Sequence, residues 1–358
     1  MRDPRAEQLA ELLVDRVLGV QPGWQVVVFS TPLGRPAVEA VTRLIGRRGA
    51  YALTRLSFSA SGDIGWLQEA PEDLLGTLPP IVANELATMD AIIQIAAPEN
   101  TRDSSAIPAE RLQLVQKAYA PALRRVIEGE IPWVGCFFPT AAVAQDAGMS
   151  QSEFEDFFYG AALLDWDAER ARMQHYADRF DAAEEVRIVG EDTDLRLSIA
   201  GRNAKVDAGG ANIPGGEFFY SPVEDSAEGT IAFTEFPAMH AGRELSGIRL
   251  RFEAGTVVDA SAGSNEEFLL TVLDTDEGAR RVGELGIGCN PGITRYMKNA
   301  AFDEKIDGTA HIALGLGFPE LGGTNESAVH WDIVKDLRPG GRIELDGGVV
   351  QENGEWLI

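Results

Sequence analysis

Two textures of apolar and polar residues divide the chain. In the first half, continuous apolar runs alternate with stretches of helical spacing. Residues 6–20, AEQLAELLVDRVLGV, repeat apolar positions at helical intervals and stop at Pro22-Gly23. QVVVFST follows Trp24 as an unbroken apolar run, the pattern of a strand covered on both faces. A helix over 36–49 has Pro36 near its first turn, and YALTRLSFS makes a second strand. A short helix over 81–89 follows Pro79-Pro80, and DAIIQIAA makes a third strand. A helix over 109–128 carries a kink or break at Pro121, ahead of a fourth strand, IPWVGCFF. Alternation of this kind predicts a parallel sheet with helices on both faces.

Residues 151–185 read as one long amphipathic helix bridging two halves. Beyond it, VRIVGEDTDLRLSIAGRNAKVDAG and the stretch from Gly229 to Ala262 show short alternating runs broken by Gly, Asp and Asn, the texture of antiparallel hairpins. A helix over 264–275 starts at Ser264 as N-cap. The expected fold is α/β: an N-terminal parallel-sheet domain over 1–185, then a β-rich α+β domain over 186–358. A length of 358 residues fits two cores better than one.

Charge removes several classes of function. The net charge is −25, from 31 Lys and Arg against 56 Asp and Glu, which argues against nucleic acid and anionic membranes as partners. Cys136 and Cys289 lie far apart without metal or redox spacing, which fits a reducing cytoplasm. No signal peptide is apparent, and no apolar run has the length of a membrane helix.

The chemistry concentrates in the second half. Asn212-Ile-Pro-Gly-Gly-Glu217 delivers a carboxylate from a tight turn, and Val282-Gly-Glu284-Leu-Gly-Ile-Gly288 sets a lone carboxylate in a Gly-spaced apolar strand. A buried strand carboxylate is costly unless it is paired or binds a cation. His311 and His330 flank the Gly-rich span 315–323, and Asp332 shares a strand face with His330 while Trp331 points the other way. Two imidazoles and three carboxylates suffice to hold two divalent cations, and the mixed N/O donors admit Zn, Co, Mn or Mg. His311, His330 and Asp332 alone would form a mononuclear Fe(II) set. His175 reads as a solvated helix residue, His240 as a loop residue with a small chance of facing substrate, and Cys289 as packing. No phosphate loop or GxGxxG motif is present.

These words, together with Ala310-His311-Ile-Ala-Leu-Gly315, Gly322-Gly-Thr-Asn-Glu-Ser-Ala-Val-His330-Trp-Asp332 and Pro222-Val-Glu-Asp-Ser-Ala-Glu-Gly229, resemble the aminopeptidase T group of thermophilic metallo-aminopeptidases. The resemblance implies a two-metal exopeptidase acting on small peptides, a homodimer, with Glu217, Glu284, His311, His330 and Asp332 as metal ligands. Glu284 is then the shared and catalytic carboxylate, and a metal-bridging hydroxide the nucleophile. Phe318 stands where that family usually has a tyrosine. A weaker likeness extends to the ring-cleaving 2,5-dihydroxypyridine dioxygenases, with one iron. A non-catalytic binding protein on the same scaffold is the third reading.

Overall fold

The computed structural model describes residues 3–59, 62–127 and 129–358. The chain forms two compact units, one comprising residues 1–163 and 209–214, the other 164–208 and 215–358. The division falls inside the stretch read as one bridging helix. Two helices stand there instead, Gln151–Ala162 and Trp166–Asp181. Asp165 starts the second by accepting from the amides of Asp167 and Ala168, which favours a new helix over continuation.

In the first unit, β1 (Gln25–Ser30), β2 (Tyr51–Leu56), β3 (Ala91–Ala96) and β4 (Trp133–Phe137) pair in parallel in the order β2-β1-β3-β4. The short strand Asn212–Ile213 adds to β4. Val26, Val28, Ile93, Ile95 and Val134 are buried, as the continuous apolar runs require. The first helix is shorter than its periodicity, ending at Glu11 and passing into a wider π-type turn over Leu12–Val17. The helix Ala109–Ile127 runs through Pro121. Residue 128, where it was expected to end, lies outside the described residues. On β2, Tyr51, Leu53 and Leu56 are exposed on the unpaired sheet edge.

The second unit is built of antiparallel strands. An eight-stranded sheet runs from Thr256–Ser261 to Glu355–Trp356. A five-stranded sheet orders His330–Asp336, Thr309–Gly315, Val282–Gly288, Glu217–Tyr220 and Lys205–Asp207. One face of this smaller sheet is apolar. Leu285, Ile287, Ile312, Leu314, Trp331 and Ile333 point there and are buried, with Phe218 edge-on to Phe180 at 5.1 Å. The helix Glu266–Leu273 matches its expected place but not its expected cap. Asn265 is the N-cap residue and bonds the Glu244 carbonyl, while Ser264 pairs with Ser246.

Candidate metal centre

Strand register assembles the site. Gly286 faces His311, Ala313 faces Asp332, Gly315 faces His330, and Gly288 faces Glu217. Side chains alternate across a strand, so Glu217, Glu284, His311, His330 and Asp332 all rise from the face opposite the apolar one. Between them that face carries Gly286, Gly288, Ala313 and Gly315. The Gly-spaced pattern thus makes room for an imidazole: a Cβ added at Gly286 would lie 2.0 Å from His311 Nε2. The Pro-Gly-Gly turn ahead of Glu217 serves close approach as well. Gly216 has φ +118°, and a Cβ there would lie 2.5 Å from that of Asn290.

The five groups converge in two overlapping triads. Glu217, Glu284 and His311 form one, Glu284, His330 and Asp332 the other, each with donor atoms within 4.8 Å of one another. Glu284 stands in both. Its Oε1 is 3.4 Å from His311 Nε2, and its Oε2 is 3.2 Å from His330 Nε2. Glu217 Oε2 lies 3.5 Å from His311 Nε2, and Asp332 Oδ1 lies 3.7 Å from His330 Nε2. His330 Nδ1 donates to the Leu316 carbonyl at 3.0 Å, a bond that turns Nε2 toward the carboxylates.

Fit to a metal is read from what the protein leaves unpaired. Glu217 Oε2 and Asp332 Oδ1 are buried with no hydrogen-bond partner. Buried carboxylate oxygens are rarely left so, and a cation in each triad would satisfy them. Hard oxygens with imidazole nitrogens suit Zn, Mn or Co.

The electrostatics follow from burial and crowding. Burial drives the Glu217 carboxyl up to about 8 against the pull of Lys305. Burial opposes ionisation of Glu284 too, but hydrogen bonds from His311 and His330 outweigh it and hold this carboxyl at about 2. Burial, with Glu304 and Glu284 adding like charge, raises Asp332 to about 6. The imidazoles resist burial because Glu284 bonds both, which lifts His311 to about 10 and His330 to about 9. A raised folded-state pKa means that the folded chain binds more protons than the unfolded one. The imidazoles' contribution is therefore complete below about pH 6.5 and lost as pH climbs through 9–10. Chelator-treated protein is expected to melt at a lower temperature at pH 9.5 than at pH 6.5. Glu284→Gln, lacking the carboxylate that keeps both rings protonated, should flatten that slope. A melting temperature that holds or rises over this range would contradict the site's charge balance.

Two further residues enter that the sequence did not flag. Glu304 adds negative charge felt by both Glu217 and Asp332, and Lys305 pairs with Glu217 and Glu304. Asp303 and Lys305 are buried at the end of the short helix Ala300–Asp303, and nothing local in that run of charged residues marks them as such. His240 packs its ring 4.8 Å from Trp331, which points away from the site face. His175 is exposed on its helix, and Cys289 is buried without a thiol partner. Phe318 lies beside His330, ring centroids 5.3 Å apart, and offers no side-chain donor there.

The profile of the family described as thermophilic metalloprotease (M29) matches residues 2–356. The chain belongs to this metalloprotease family. Aminopeptidase T of Thermus thermophilus is 27% identical, with 98% of each chain covered, and Aminopeptidase 2 of Geobacillus stearothermophilus is 26% identical, covering 98% of this chain and 97% of the relative. The solved structure of wild-type AmpT from Thermus thermophilus superposes with a TM-score of 0.83 at 25% identity over 99% of both chains. The 2,5-dihydroxypyridine dioxygenase of Pseudomonas putida shares the fold, with a TM-score of 0.64 at 15% identity, covering 99% of this chain and 96% of that one. Among metalloproteases of the M29 family, then, this member presents an α/β unit with a parallel sheet and a unit of antiparallel sheets, the architecture expected from its sequence. No helix among the described residues is long and apolar enough to cross a membrane.

Proposed function

We propose that the chain is an aminopeptidase that removes N-terminal residues from small peptides, with two divalent ions held by Glu217, Glu284, His311, His330 and Asp332. The observation that carries this reading is the position of Glu284, one oxygen toward each triad, as a shared ligand must be. Such an ion pair, when bound, supplies a bridging hydroxide near neutral pH and polarises the scissile carbonyl. The protein's part is to hold the donors rigidly: four neighbouring strands fix their spacing, and the Leu316 carbonyl fixes the tautomer of His330. Phe318 and Phe219, with ring centroids 5.4 Å apart, set an apolar wall beside His330. The carboxylate-rich face suits a substrate with a free α-amine.

A single-iron dioxygenase would employ His311, His330 and Asp332 but leave Glu217 Oε2 buried with no hydrogen bond. Metal analysis of the purified protein separates the readings, run beside hydrolysis of aminoacyl amides and oxygen uptake with hydroxypyridines. Two ions per chain are expected, with amide hydrolysis that chelator abolishes and Zn, Co or Mn restores. One iron with oxygen uptake, or no stoichiometric metal, would defeat the proposal. The apolar residues exposed on the open edge of β2 support assembly as a homodimer, and the two unpaired, buried cysteines support a reducing, cytoplasmic setting.

A further inference from the structure

Lys305 is 0% exposed, an uncommon state for an ammonium group unless it is paired. Its Nζ lies 3.0 Å from Glu217 Oε1 and also pairs with Glu304, and Asp207, opposite Glu217 in strand register, adds a third negative charge nearby. The two oxygens of Glu217 thereby acquire different fates. Oε1 is taken by Lys305, while Oε2 has no hydrogen-bond partner and faces His311 Nε2 at 3.5 Å.

We propose that Lys305 is a positioning residue that restricts Glu217 to coordination through Oε2 alone. The inference rests on the two-metal reading above. Its chemical consequence concerns the ion held by Glu217, Glu284 and His311. With one oxygen from each glutamate and one ring nitrogen, the protein supplies three donors and leaves a coordination position open, the arrangement that distinguishes a catalytic site from a closed structural one. Were Oε1 free to turn inward, Glu217 would grip with both oxygens and fill that position. Lys305 thus gives up metal affinity and keeps a place for water and the peptide carbonyl.

Lys305→Met removes the ammonium while keeping an unbranched, buried side chain. Chelator competition is expected to show one of the two ions bound at least about ten-fold more tightly. Turnover of an aminoacyl amide should fall by about ten-fold or more, mainly in kcat, the scale on which residues behind metal ligands act. In cobalt-substituted protein the visible absorption should weaken, as it does when coordination number rises. A residue that merely supports the fold would have the opposite signature, with looser metal and lower turnover together. Weaker binding, or unchanged affinity and spectrum, would overturn the inference. A crystal structure of the zinc-loaded wild-type enzyme tests it without any variant. Glu217 should reach the ion through Oε2 with Oε1 still on Lys305, and both oxygens on the ion would be decisive against it. Wild-type protein with no ion at Glu217 would defeat the two-metal reading itself, and this inference with it.

Discussion

Glu284→Gln should lower kcat/KM for an aminoacyl amide by at least about a thousand-fold, a loss of about 4 kcal/mol of transition-state stabilisation. Glutamine matches the carboxylate in shape, so the strand Val282–Gly288 and its ladders should persist. What it cannot match is charge and symmetry. Glu284 turns one oxygen to His311 and the other to His330, at 3.4 and 3.2 Å, and an amide must present –NH2 to one of them. A neutral amide also contributes no charge to oppose the two dications proposed for this buried site. Circular dichroism should be unchanged while bound metal drops below two ions per chain. Retention of more than about a tenth of wild-type activity would rule out Glu284 as the shared ligand.

Gly286→Ala should remove one ion without touching a donor. The added methyl would sit 2.0 Å from both Cε1 and Nε2 of His311, inside the ring's own space. Gly286 and His311 face each other across a hydrogen-bonded ladder with apolar residues packed beneath, so neither backbone can retreat cheaply. The ring must rotate away from Glu217 and Glu284. Metal affinity at that triad is expected to fall by about a hundred-fold, with about 1–3 kcal/mol of lost stability from overpacking. Gly160→Ala, where a new Cβ meets nothing within 4 Å, is the control and should leave metal binding unchanged. Metal titration with thermal melts would measure both effects. Wild-type stoichiometry and affinity in Gly286→Ala would mean that His311 is not a ligand.

Local periodicity carried much of this arrangement. QVVVFST marked a strand covered on both faces, where Val26, Val27 and Val28 are all buried, whereas DAIIQIAA buries Ile93 and Ile95 on one face and exposes Gln94 on the other. His330-Trp331-Asp332 showed a period of two, and the strand does place the imidazole and the carboxylate on one face and the indole on the other. The glycines around Glu284 were visible as a pattern but not as a purpose. Their use emerges only when His311, a strand away and 27 residues later, is set opposite Gly286. Register between distant strands is a tertiary property that no local window encodes. The same holds for Lys305, whose burial depends on Glu217, far away in sequence. The break at residues 163–165 is hidden from periodicity because amphipathic spacing continues across it, while the Asp165 cap that restarts the helix is a short-range device.

The five candidate donors ride on four adjacent strands joined by three ladders. Sliding any one strand by a single residue would turn its donor into the apolar layer beneath. Ions gripped across those ladders would act as rivets, holding neighbours in step that hydrogen bonds alone could let slip. Loss of metal and melting of this small sheet then become a single event, and thermal endurance in such an enzyme would be governed by how slowly it surrenders its cations.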